Sequence, residues 1–225
     1  MLTIESDKFF EALKSGDLAR VSELIDKHPS LVDAKTRSGA TGILFALYSG
    51  HPGIAELIAQ RKPTIDIFEA ASLGKIPQAE ELANHNSELV RAYSDEGFTA
   101  LQLASYLGQV DAVNLLLKSG AEVNAVAKNP SGFTALTGAV SRGHVNIAQR
   151  LLEEGANPNH RYEDGFTPLM EAAASGYLEI AKLLLVHGAD TKIRKDGKTA
   201  RDFAREKGRT DVGELLEWSE MASKT

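Results

Sequence analysis

Apolar and polar positions along this chain fall into short paired blocks. Residues 168–175, "PLMEAAAS", form a compact block of mostly small side chains. After Gly176 comes "LEIAKLLLV", where Leu178, Ile180, Ala181, Leu184 and Leu185 share one broad face of a helix. Gly165 suits a turn ahead of the first block, the Thr167 hydroxyl can cap its helix, and Pro168 fits the first helical position. Gly176 ends the first helix and "HGAD" ends the second. The pattern predicts a hairpin turn, a short helix, a tight loop and a second helix.

The same layout recurs in "SGATGILFALYSG" (38–50), "EGFTALQLASYLG" (96–108), "SGFTALTGAVSRG" (131–143) and "DGKTARDFAREKG" (196–208). Its closing glycines are Gly16, Gly50, Gly74, Gly108, Gly143, Gly176 and Gly208, with steps of 34, 24, 34, 35, 33 and 32 residues. They mark seven units, approximately 4–36, 37–66, 67–94, 95–129, 130–162, 163–194 and 195–220, read as one domain over 1–225. A single helix pair cannot bury its own apolar face, so units of this kind stack on one another. The expectation is an all-α solenoid with a row of turn fingers along one edge. Its outer units would act as caps. The first offers Phe9, Phe10, Leu13, Val21, Leu24 and Ile25 for packing; the last carries Arg201 at an otherwise apolar position. Trp218, beside the Val212, Leu215 and Leu216 face, is expected to close the final cap.

The pattern breaks once. The 24-residue step lacks its Gly-x-Thr turn, so one finger is missing between units two and three, and only "RKPTIDI" (61–67) makes the connection. This is either a shortened loop in an intact stack or a notch that admits part of a partner. Around Asn129 and Pro130 the chain gains about two residues, which lengthens one turn.

Period, layout and order together resemble the ankyrin repeat family, whose unit of roughly 33 residues contains Thr-Pro-Leu-His-x-Ala. The nearest matches are "GFTPLMEAAASGYLEIAKLLLVHGAD" and "GFTALQLASYLGQVDAVNLLLKSGAEVNA", with Gln102, Thr137 and Met170 at the family's histidine position. The resemblance implies a non-catalytic protein–protein interaction module, an adaptor or regulator that binds an unidentified protein through turn tips and the concave helix surface. Carried onto this sequence, the turn residue between Gly and Thr is Phe98, Phe133 and Phe166 in three consecutive units. Stacking would align these into an apolar recognition stripe, unless each ring folds back on its own turn. Tyr48 and Tyr106, two residues before closing glycines, and Arg142 complete the candidate partner-binding set. Asn124 in "LLLKSGAEVNA" resembles ankyrin asparagines that are hydroxylated in animal cells, although Asn also stabilises this turn.

Composition narrows the functional classes. The chain has 225 residues, no cysteine and a net charge of −6, which removes thiolate chemistry and argues against general nucleic-acid binding. No apolar run approaches the roughly 18 residues of a membrane span, and a cytoplasmic monomer is expected. Residues 192–209 carry eight Lys/Arg against three Asp/Glu, a basic segment read as a solvated cap or a steering patch for an acidic partner. The six histidines are scattered at loop and turn positions and read as structural; no phosphate loop or helical metal-ligand spacing is present. No catalytic residues, cofactor or metal are expected, and the chain is read as a non-enzyme. The alternative is a small-molecule binder or enzyme with its site near residues 61–67.

Overall fold

The computed structural model describes residues 4–162 and 165–222, and within them every regular element is helical. The helices come in pairs: α1 (Ile4–Ser15) with α2 (Leu18–Lys27), α3 (Gly42–Tyr48) with α4 (Pro52–Arg61), α5 (Ile67–Leu73) with α6 (Ile76–His85), and α7 (Ala100–Tyr106) with α8 (Val110–Lys118). Further along lie α9 (Ala135–Ser141) with α10 (Val145–Glu153), α11 (Pro168–Ser175) with α12 (Leu178–Val186), and α13 (Ala200–Glu206) with α14 (Thr210–Ala222). Each pair packs on the next, which makes the molecule an α-solenoid.

The threonines start the first helices as their positions suggest. Thr41, Thr99, Thr134, Thr167 and Thr199 accept a hydrogen bond from the backbone N–H three residues on. In the third pair Asp66 takes this role and forms a capping box with Glu69. The preceding fingers close through single bridges, Lys35 to Thr41, Tyr93 to Thr99 and Lys195 to Lys198.

A side chain just after each closing glycine fastens most neighbouring units together. His51 packs over Gly16, Gln109 over Gly74, His144 over Gly108, Tyr177 over Gly143 and Arg209 over Gly176. Gln109 Nε2 donates to the Ser72 carbonyl at 3.0 Å, Arg209 Nε donates to that of Ala174 at 3.3 Å, and His144 Nε2 lies 3.1 Å from the Tyr106 carbonyl oxygen. These glycines have positive φ, and a Cβ at Gly108 would stand 2.8 Å from the His144 ring. Histidines 51 and 144 are therefore structural.

The fastening is absent at one junction. Nothing among the described residues covers Gly50, because Lys75, which would do so, turns to Glu56 at 2.9 Å. The buried apolar side chains divide at the same place, one cluster running from Phe9 to Ile58 and the other from Ile67 to Leu216. Residues 62–66 join the two blocks. There Lys62 Nζ donates to both carboxylate oxygens of Glu69, at 2.9 and 3.0 Å, with side-chain exposures of 9% and 1%. Asp33 lies 3.4 Å from the same ammonium.

The end of α14 corrects one expectation. Trp218 is 72% exposed and does not close the last unit. Val212 and Leu216 are buried, but two further residues turn the helix about 200° and carry Trp218 away from that face.

Candidate functional site

Where the fourth and fifth fingers meet the first helices, the chain forms an apolar pocket of about 230 Å³. Its walls are Tyr48, Phe98, Leu103, Tyr106 and Phe133, with Gln102, Thr134 and Gly138 completing them. Local sequence explains the cavity. Phe98 immediately precedes the Thr99 cap, and Leu103 is the fourth residue of α7 counted from that cap. These are the two positions of a hydrophobic staple. One unit on, Phe133 precedes the Thr134 cap, but the matching position in α9 is Gly138. The fifth unit has the aromatic half of the staple without the aliphatic half, and the space left over opens the pocket. Gly138 also sits close under α7: a Cβ there would lie 3.4 Å from Tyr106 Cβ.

The wall that Tyr48 makes crosses the shortened junction. Tyr48 and Tyr106 occupy equivalent positions in units two and four, and unit three places the small, buried Ser72 between them. The tyrosine rings meet edge to face, with centroids 6.1 Å apart. Finger two likewise rests on finger four: Lys35 Nζ donates to Asp95 at 2.7 Å, and a Cβ at Gly39 would stand 2.7 Å from Asp95 Cβ. On the finger side these contacts link finger two to finger four across the junction. Across the shortened connection Tyr48 reaches the pocket.

The rim is polar. Tyr48 Oη donates to Glu96 Oε2 at 3.1 Å, and burial followed by the nearby Glu96 charge pushes the phenol's pKa up. Burial also raises the Glu96 carboxyl above its ordinary value of 4.5, against the opposing pull of the Tyr48 hydrogen bond. The lengthened turn at Asn129 is tied down here, since Asn129 Nδ2 donates to the Glu96 carbonyl at 2.7 Å. Gln102 Nε2 donates to the carbonyls of Ala125 and Phe133 at 2.8 and 3.0 Å, which fixes finger five against α7. Arg142 is exposed on the other side, its guanidinium 5.2 Å from the Tyr106 ring centroid.

Five of the six sequence candidates therefore gather at one place: Tyr48, Phe98, Tyr106 and Phe133 in the walls, and Arg142 beside them. Phe166 stands apart. Its ring packs on Phe203 at 5.1 Å with Lys195 Nζ 5.3 Å above it, while Phe133 turns its other side to Tyr162 at 5.1 Å. The three phenylalanines thus meet different neighbours: Phe98 and Phe133 share the pocket, whereas Phe166 packs on Phe203. Sequence reasoning missed Gln102, Leu103, Glu96 and Gly138. The available signal was Gly138, a glycine inside a helix where adjacent units carry Leu103 and Glu171.

The other candidate regions have internal partners. Asn124 Nδ2 donates to the Gly155 carbonyl at 3.0 Å, and its Oδ1 accepts from Asn157 N at 2.8 Å; Asn159 repeats this arrangement one unit later. In the basic segment Lys198 pairs with Glu206 at 2.7 Å, Lys195 with Asp196 at 2.8 Å and Arg201 with Glu220 at 3.2 Å. A groove of about 550 Å³ runs past Lys62, Pro63, Thr64 and Ile65 towards Gln78 and His85. The Lys62 ammonium beside it is engaged by Glu69.

A profile of the ankyrin repeats matches this chain in three overlapping copies, over residues 9–127, 67–162 and 136–222. The chain belongs to the ankyrin repeat family. Such repeats are generally protein–protein interaction modules and typically non-catalytic. "Ankyrin repeat and SAM domain-containing protein 6" of Mus musculus is 30% identical over 120 residues, and that of Rattus norvegicus is 29% identical over the same length. Each match covers 53% of this chain and 11% of the relative, so the ankyrin chain described here corresponds to a small part of those proteins. No described helix is long and apolar enough to cross a membrane.

Proposed function

We propose that this ankyrin protein is a non-catalytic adaptor or regulator that receives an apolar side chain of its partner in the pocket between Tyr48, Phe98, Tyr106 and Phe133. The pocket itself supports this reading. At about 230 Å³ it is smaller than the roughly 300–1,000 Å³ of small-molecule sites, and its walls are mainly aromatic. One protein side chain suits it better than a cofactor. Full burial of a Leu- or Phe-sized group contributes about 1.5–3 kcal/mol, the scale of an interface anchor. Edge-to-face contact with the ring walls adds about 0.5–1.5 kcal/mol for an aromatic guest.

The test is selection from a displayed random-peptide library on the wild-type protein. Binding of the recovered peptides is then measured on Phe98→Ser, Phe133→Ser and Phe166→Ser variants that retain their helical circular dichroism. Loss with the first two and retention with the third is the expected result. Equal binding to all three variants would remove the pocket from the account.

A further inference from the structure

The pocket has a chemical direction as well as a shape. Of the described arginines, Arg142 and Arg37 alone donate to neither a carboxylate nor a carbonyl. By contrast, Arg20, Arg61, Arg150, Arg201 and Arg205 have acidic partners, and Arg91, Arg161, Arg194 and Arg209 reach backbone oxygens. Arg142 is held over the Tyr106 ring, so its side chain is oriented beside the pocket while its fork of N–H donors remains available. Of the carboxylates on this side, Asp95 is paired with Lys35, whereas Glu96 accepts from the neutral Tyr48 hydroxyl and Glu171, one unit further along, from that of Ser175. Arg142 is thus a cation beside the pocket that has no acidic partner among the described residues, in a chain whose net charge is −6.

We infer that the partner segment carries an apolar side chain for the pocket with a carboxylate beside it for Arg142. This rests on the pocket being the protein-binding site and specifies what the site selects. The two contacts divide the work. The apolar group supplies most of the affinity, whereas the carboxylate chooses among apolar segments, since an exposed charge pair acts chiefly on specificity and association rate. Arginine suits this task because its planar fork matches a carboxylate while its face stays on the tyrosine ring. A lysine in the flank that faces Arg142 would meet a like charge and be disfavoured there.

Three acetylated, amidated peptides in a Gly/Ser background test this, with central Phe-Asp-Asp, Phe-Lys-Lys or Ala-Asp-Asp, titrated into isotope-labelled protein and followed by amide NMR shifts. The Phe-Asp-Asp peptide should move the signals of Tyr106, Gly138 and Arg142 and bind roughly tenfold more tightly than Phe-Lys-Lys, with a gap that narrows as salt is added. Arg142→Glu should reverse the order. If the two Phe peptides bind the pocket equally, the acidic flank is wrong and the pocket stands. If Ala-Asp-Asp equals Phe-Asp-Asp, charge alone governs binding and the two-part ligand is wrong. If neither Phe peptide moves the pocket signals, the binding site itself is misplaced.

Discussion

Removing the Lys62 ammonium would leave Glu69 with almost no access to water. The Glu69 side chain is 1% exposed, and both of its oxygens accept from Lys62 Nζ. In Lys62→Met the carboxylate would keep only the Asp66 backbone N–H, at 3.3 Å. Stranding one member of a buried pair costs about 3–5 kcal/mol, whereas replacing both members by groups of similar shape is often close to neutral. Lys62→Met should therefore lose most of that amount, and Lys62→Met with Glu69→Gln should recover to within about 1 kcal/mol of wild type. The loss should be uneven along the chain. The apolar clusters divide at this connection and Gly50 is uncovered, so the block 4–61 should open before the remainder. Urea unfolding followed by far-ultraviolet circular dichroism gives the free energies, and residue-resolved hydrogen exchange gives the location. A Lys62→Met loss below about 1 kcal/mol, or exchange accelerated equally in all units, would refute the reasoning.

Filling the pocket should separate binding from stability. Gly138→Ala replaces a helix-interior glycine at ordinary contact distances and should raise stability by about 0.5–1 kcal/mol; Gly138→Leu restores the missing half of the staple and should abolish peptide binding, with melting curves and titrations as the readouts. Gly108→Ala should cost more than Gly50→Ala. Both adopt φ of 79°, but only the first meets a histidine ring, so equal losses in urea unfolding would deny the role given to His144. Glu96 should titrate above 4.5 when followed by carboxyl NMR. With a folded pKa above the unfolded one, its share of stability is fully present below the unfolded value and declines as pH rises through the folded value, so Glu96→Gln should flatten that decline on the alkaline side of 4.5. A Glu96 midpoint at or below 4.5 would contradict this.

The scaffold was legible because each unit repeats local chemistry: a threonine cap, a left-handed glycine and an apolar helix face need only neighbouring residues to be recognised. The aromatic candidates were legible as residue types at repeated positions. Their grouping was not, because it depends on contacts that skip a unit. Tyr48 reaches Tyr106 only because unit three is short and carries Ser72 between them. The neighbours of the phenylalanines were hidden for a related reason: Phe166 packs on Phe203 in the next unit, whereas Phe133 meets Tyr162, a residue outside the repeated motif. Trp218 was misplaced by its nearness in sequence to Val212, Leu215 and Leu216, although the 100° step per residue sets it on another side of α14. The pocket was hidden in a single absence, the side chain that Gly138 lacks.

The account is tested most directly by determining the structure of this protein with its tightest library-selected peptide. An apolar side chain lying between Phe98 and Phe133, over Gly138 and against the paired rings of Tyr48 and Tyr106, is the predicted result. A peptide bound elsewhere, with those walls uncovered, would contradict it.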